Sequence, residues 1–214
     1  MASGLAITDL RFRYAADSEE LFDGISHEFR PGAMTALTGP SGRGKSTLLY
    51  VLGLLLTPTS GAVAIGGEAA SSLPDAARSR IRASRIGFVF QDAELDPTRT
   101  VIDSVLEPAL YAGSRKAELV PRALELLERF GLTERAHHRP GQVSGGQAQR
   151  LAVCRALLND PDIILADEPT GNLDRGNTDL VIGALADAAD EGRVVVIATH
   201  DPYVLERCDE AVAL

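Results

Sequence analysis

Short apolar runs alternate along this chain with segments of helical periodicity. LAITDLRF, AMTALTG, RIGFVFQ, DIILADE and RVVVIATH read as strands, and several are apolar almost without interruption. Strands buried on both faces of a mostly parallel sheet have that character. In AELVPRALELLERFGL, Leu119, Ala123, Leu126, Leu127 and Phe130 recur at helical spacing and Gly131 supplies a stop. The pattern predicts an amphipathic helix with one core-facing stripe. Residues 5–35 read as strands and turns, whereas 92 to about 142 are mainly helical. The expected class is α/β, as one domain over residues 1–214: a core with a mostly parallel sheet, an N-terminal antiparallel β edge, and a helical lobe inserted at approximately 92–155.

Composition narrows the function classes. With 21 basic and 30 acidic residues the formal charge is −9, which argues against nucleic-acid binding or lipid adhesion through a broad basic face. The longest largely apolar run, LLYVLGLLL at 48–56, falls well short of the roughly 18 residues that span a bilayer. MASGLAITDL lacks a basic segment followed by an apolar stretch, so no secretory signal and no direct membrane insertion are expected. Cys154 and Cys208 are too few and too far apart for a metal cluster, and Cys154 falls in an apolar helical pattern as a small core residue. A cytoplasmic location is expected.

TALTGPSGRGKSTLLYVLG orders a strand, a glycine-rich turn and a helix, and Gly39, Gly44, Lys45 and Ser46 fill the G-x-x-x-x-G-K-S/T template of a P-loop NTPase. Glycines let the backbone wrap closely enough for its N–H groups to cradle phosphate oxygens, and the helix points its positive end at them. The cradle is Gly39, Pro40, Ser41, Gly42, Arg43, Gly44, Lys45, Ser46 and Thr47. Lys45 would neutralise the outer phosphates, and the Ser46 hydroxyl would ligate Mg2+. Arg43 either adds charge near the phosphates or is solvated on the loop's outer edge.

PDIILADEPTGNLD ends an apolar strand in Asp167 and Glu168, where ligands sit in open parallel sheets. Asp167 suits a Mg2+-holding carboxylate, directly or through water, and Glu168 could orient or deprotonate a water for in-line attack on a γ-phosphate. His200 closes the last long strand pattern and emerges at the same sheet edge, as a structural or a catalytic residue.

Six ordered motifs resemble those of the ATP-binding subunits of ABC transporters, from about residue 5 onwards. They are the phosphate loop GPSGRGKST, the glutamine loop from Gln91, the signature VSGGQAQR, the Walker B strand IILADEP, the D-loop GNLD ending at Asp174, and the switch histidine His200. The resemblance implies an ATPase using ATP and Mg2+, with Lys45, Gln91, Glu168 and His200 catalytic and Ser46, Asp167 and Gln91 around the metal. It implies that Ser144, Gly145, Gly146 and Gln147 at a helix start, with Asp174, meet the nucleotide of a second ATP-binding subunit in a head-to-tail homodimer. Tyr14, rather than Phe12, looks like the residue that stacks on adenine. The partners implied are integral membrane permease subunits, touched just after Gln91, with the cassette peripheral on the cytoplasmic face. PTSGAVAIGGE, RIRASRIGFVFQ and ADEPTGNLD look most like the lipoprotein-releasing, macrolide-exporting and cell-division group. After Gln91 the chain departs from it, with an acidic DAELDPTRTVIDSV and Asp103-Ser104 where Glu-Asn is common.

Other readings fit less well. A small-molecule kinase needs an acceptor site and a lid and has no use for SGGQ. Chromosome-maintenance ATPases part the signature from the phosphate loop by a long coiled coil, against about a hundred residues without heptads here. A nucleotide-gated adaptor with little hydrolysis is the alternative from another class, set against the presence of Lys45, Glu168 and His200.

Overall fold

A computed structural model describes residues 4–15, 17–40, 42–171 and 173–214. The chain begins with β1 (Leu5–Arg11), β2 (Ile25–Phe29) and β3 (Ala33–Thr38), then α1 (Lys45–Leu52), β4 (Ser60–Ile65) and β5 (Glu68–Ala69). Next come α2 (Asp75–Arg85) and β6 (Ile86–Val89), followed by α3 (Val101–Val105), α4 (Glu107–Ala112), α5 (Lys116–Arg129) and α6 (Gly145–Leu157). The chain closes with β7 (Ile163–Asp167), α7 (Arg175–Asp190), β8 (Val194–Ala198), α8 (Pro202–Leu205) and β9 (Glu210–Ala213).

The strands form two sheets. β6-β7-β8-β3-β9 is parallel throughout, and β2-β1-β4-β5 is antiparallel. The expected antiparallel edge is therefore a sheet of its own. β3 pairs with β8 and β9, and β1, β2, β4 and β5 pair among themselves.

Every residue of β7 and β8 is buried, because the parallel sheet carries a core on each face. Ile163, Leu165, Val194 and Val196 pack with α1 and the antiparallel sheet through Leu48, Leu52, Leu5, Phe29 and Val63. Ile164, Ala166, Val195 and Ile197 pack with the helices through Val105, Leu127, Phe130, Leu151 and Leu185. Successive strand residues point to opposite faces, so one apolar run serves both cores. The helices α3–α6 share the second core with α7 and the sheet rather than enclosing one of their own.

The predicted stripe is the buried face of α5: Ala123, Leu126 and Leu127 are buried, Leu119 is partly buried, and Phe130 caps the helix before a left-handed Gly131. By contrast α2 buries no residue fully and packs Ile81 partly buried against the core; its strongest sequence marks are Asp75 in the first turn and Arg82 and Arg85 in the last.

β6 and α6 approach so closely that a Cβ on Gly87 would stand 2.3 Å from the Ala156 carbonyl oxygen and 3.0 Å from Pro161. Backbone offers no rotamer of escape. Gly87→Ala is expected to lower stability by about 2–3 kcal/mol, seen as a lower urea midpoint at unchanged slope.

Candidate active site

The phosphate loop leaves β3 after Thr38 and turns on Gly39, Gly42 and Gly44 at φ of 134°, 83° and 92°, where a side chain would be strained. Gly44 is the N-cap of α1 and no side chain caps the helix, which leaves its first N–H groups aimed at the loop. Lys45 Nζ donates to the carbonyl oxygens of Gly39 (2.8 Å) and Pro40 (3.2 Å), so the ammonium folds back over the loop. Arg43 is exposed on the outside of the turn. Ser41, expected in the cradle, lies outside the described residues.

Strand register brings the remaining chemistry to the same edge. Leu37 pairs with Ala198 and Ala198 with Asp167, so β3, β8 and β7 end in one line. Val89 of β6 pairs with Ala166, so Gln91, two residues on, leaves β6 at the same edge of the sheet. Ser46 Oγ donates to Asp167 Oδ1 at 3.0 Å, joining residues 121 apart in the chain. Tyr50, one turn beyond Ser46 on α1, donates to Asp167 Oδ2 at 3.4 Å. Asp167 is only 1% exposed, and burial raises its pKa, with help from the neighbouring Glu168; the Ser46 and Tyr50 hydrogen bonds and Lys45 oppose the shift without cancelling it. A buried carboxylate beside a hydroxyl gains from a cation, and both groups are the hard oxygen donors that Mg2+ takes.

Glu168 follows at φ 45°, a left-handed backbone uncommon outside glycine. Its N–H donates to the Ala198 carbonyl at 2.9 Å, and that turn carries the carboxylate toward the end of β8. There His200 Nδ1 lies 2.6 Å from Glu168 Oε1, and Thr199 Oγ1 donates to Oε2 at 3.3 Å. With its proton on Nδ1, the imidazole holds the carboxylate in place and leaves Nε2 free. Backbone strain at an acid fixed by two partners is a common mark of a functional position.

Tyr14 is 65% exposed beside the loop, and its hydroxyl shares a hydrogen bond with Thr47 Oγ1 at 2.8 Å. Phe12 is 4% exposed and packs edge-on beneath it at 4.9 Å, so Tyr14 is the aromatic face on offer.

The signature lies elsewhere. Ser144 caps α6, which packs in the helical core, whereas α1 packs on the opposite face of the parallel sheet. Ser144 Oγ accepts from the Gln147 N–H at 3.2 Å, and the Gln147 side-chain oxygen accepts from the Ser144 N–H at 2.9 Å. This capping box leaves the Ser144 hydroxyl proton and the Gly145 and Gly146 N–H groups at the tip of the helix. Asp174 likewise caps α7, accepting from the Asn177 N–H at 2.9 Å and from its side-chain amide at 2.7 Å.

The ABC transporter family model matches residues 22–171. The lipoprotein-releasing system ATP-binding protein LolD of Paramagnetospirillum magneticum is 44% identical over 214 residues, covering 99% of this chain and 95% of that protein. The chain belongs to the ABC transporter family. It is an ATP-binding subunit, an ATPase cassette of that family. The macrolide export ATP-binding/permease protein MacB of Shigella flexneri is 41% identical over 212 residues, 98% of this chain but 33% of that longer protein. Among solved structures, the dimeric MJ0796 ABC transporter cassette superposes at a TM-score of 0.90 with 34% identity, covering 98% of this chain and 94% of that one. The dimeric post-hydrolysis state of the same cassette, bound to ADP and Pi, matches equally well.

Two contributors escape sequence reading. Tyr50 stands four residues after Ser46, hence on the same face of α1, and that spacing was its available signal. Thr199, buried at the strand end before His200, carries no motif that marks it.

Lys45→Ala is expected to weaken ATP binding at least about a hundredfold by removing a charged phosphate partner, and Tyr14→Ala about tenfold by removing a stacking face. Equilibrium titration with a fluorescent ATP analogue measures both, and Tyr14→Phe should fall close to wild type.

Proposed function

We propose that this subunit hydrolyses ATP in a head-to-tail homodimer, each nucleotide held by the phosphate loop of one chain and capped by Ser144, Gly145, Gly146 and Gln147 of the other, with Asp174 at the seam. The observation that carries this reading is the sheet between them: the groups suited to bind and cleave a triphosphate gather at β3, β7 and β8, whereas the anion-seeking helix tip belongs to the opposite layer of the same chain. A helix tip of that kind finds a γ-phosphate only on a second molecule.

Within each site the backbone of Gly39, Pro40 and residues 42–47 wraps the phosphates and Lys45 neutralises their charge. Tyr14 stacks on the base. Ser46 and Asp167, with Gln91 beside them, would hold Mg2+, which when bound offsets the negative charge of the outer phosphates. Glu168 orients the attacking water and takes up its proton, and His200 keeps that carboxylate pointed at the water. ATP binding then closes the pair and hydrolysis reopens it.

A cleft of about 650 Å3 runs between β6, α2 and α4, with Leu55, Phe88, Phe90, Pro108 and Tyr111 on its walls. Its apolar residues, interspersed with Arg80, Arg82, Glu94, Glu107 and Arg155, support docking of an amphipathic cytoplasmic helix of a membrane permease. No helix among the described residues is long and apolar enough to cross a membrane, which fits a subunit held on the cytoplasmic face through that permease. The lipoprotein-releasing and macrolide-export relatives favour a permease of the exporter or force-transmitting kind.

Glu168→Gln should retain ATP and accumulate dimer in size-exclusion chromatography. Lys45→Ala and Ser144→Arg should each be inactive alone, yet an equimolar mixture should regain about a quarter of the wild-type rate, because half the dimers then carry one sound site. A mixture as inactive as its components removes the split site. Tyr111→Glu should reduce recovery of the cassette in the membrane fraction while sparing ATP turnover in solution.

A further inference from the structure

α8, the short helix just after His200, is tied to α7, the helix just after Asp174, by one aromatic ring. The Tyr203 centroid lies 3.7 Å from the Arg175 guanidinium carbon and 3.4 Å from that of Arg207. Two like-charged guanidinium groups that close to one ring must take opposite faces, so the phenol is sandwiched. Its hydroxyl donates to Asp179 Oδ1, and Asp179 also lies 3.7 Å from Arg207. Arg207 NH1 donates to the Tyr203 carbonyl at 2.9 Å.

The clamp connects to the reacting centre in two directions. The Tyr203 N–H donates to Asp201 Oδ1 at 2.9 Å, the Asp201 N–H to Thr199 Oγ1 at 3.1 Å, and Thr199 to Glu168. His200 sits within that run of residues. On the other side, Arg175 is the first residue of α7, directly after Asp174, and it lines a pocket with Glu168, Thr170, His200 and Asp201.

We infer that Tyr203 is a positioning residue: stacked between Arg175 and Arg207, it fixes the segment carrying His200 to the start of α7, so that the His200–Glu168 contact is set by where the D-loop stands. This rests on the proposed role of Asp174 at the seam between subunits. Docking of a second chain against the D-loop then reaches Glu168 through Arg175 and Tyr203. A four-residue helix such as α8 has little stability of its own and needs this tether to hold a fixed pose.

Steady-state ATP turnover of the full chain tests the clamp. Tyr203→Ala and Arg175→Gln should each lower kcat, Tyr203→Ala by about tenfold, with KM for ATP within about twofold of wild type, since the lost interaction acts on the reacting carboxylate rather than on binding. Tyr203→Phe, which keeps the stack, should recover most of the rate. His200→Ala combined with Tyr203→Ala should lose less than the product of the two single losses, because both act on the pose of one carboxylate, Glu168. Arg175 is at a helix start on the surface, so its variant reports even if Tyr203→Ala folds poorly. Wild-type kcat in Arg175→Gln, or losses that multiply in the double variant, would overturn the clamp. Wild-type turnover that is flat across dilution would instead overturn the two-chain site, and the two failures are read from different variants.

Discussion

The shared end of β3, β8 and β7 is the constraint on which the site depends. Parallel pairing sets Leu37, Ala198 and Asp167 in one line, and the residues that follow each of them are Gly39 to Ser46, Thr199 and His200, and Glu168. Because neighbouring strands stand about 4.8 Å apart, β8 between β3 and β7 parts the phosphate loop from the acids by two strand spacings. The side chain of Ser46, carried inward at the start of α1, closes that gap to 3.0 Å. A slip of one residue in either pairing would turn Asp167 to the other face of the sheet and away from Ser46.

Keeping that line rigid is the work of the two cores rather than of the surface ion pairs. The salt bridges are mostly half-exposed or exposed, as at Arg11–Asp23, Arg129–Asp187 and Arg122–Asp160, and such pairs contribute about 0–1 kcal/mol each. A fully buried leucine or isoleucine contributes roughly 1.5–3 kcal/mol, and β7 and β8 present them to both faces. The strain at Glu168 and the buried charge of Asp167 are local costs that this scaffold tolerates, and both lie where a triphosphate and its cation would be held.

The same layering divides labour between the faces. Groups suited to hold a nucleotide gather on α1 and the strand ends, while the signature helix and α7 belong to the helical side, and the cleft straddles the sheet edge at β6, with Phe88 from one core and Ala156 from the other. On the proposed reading, Gln91 after β6 links the site to the permease side, and the Arg175–Tyr203 contact links the start of α7 to the segment that carries His200. A cassette that couples chemistry to a neighbour needs such crossings, since a buried sheet otherwise separates the site from the surfaces that meet partners.

Much of this was legible in order along the chain. The phosphate loop, the acid pair, the stripe of α5 and the buried strands are each local patterns, set by glycine dihedrals, helical spacing and alternation that adjacent residues impose on one another. Strand order, the separate antiparallel sheet, and the contacts of Thr199 and Tyr203 came only with the tertiary structure. A residue's period tells which face is buried but not what covers it, and contacts such as Tyr14–Thr47 and Tyr203–Arg175 join segments whose sequences hold no record of each other's distance. The sequence by itself determined which chemical groups this protein possesses and the local backbone that carries them; packing decided which of those groups meet within one chain, because only the burial of both sheet faces fixes the order in which the strands lie.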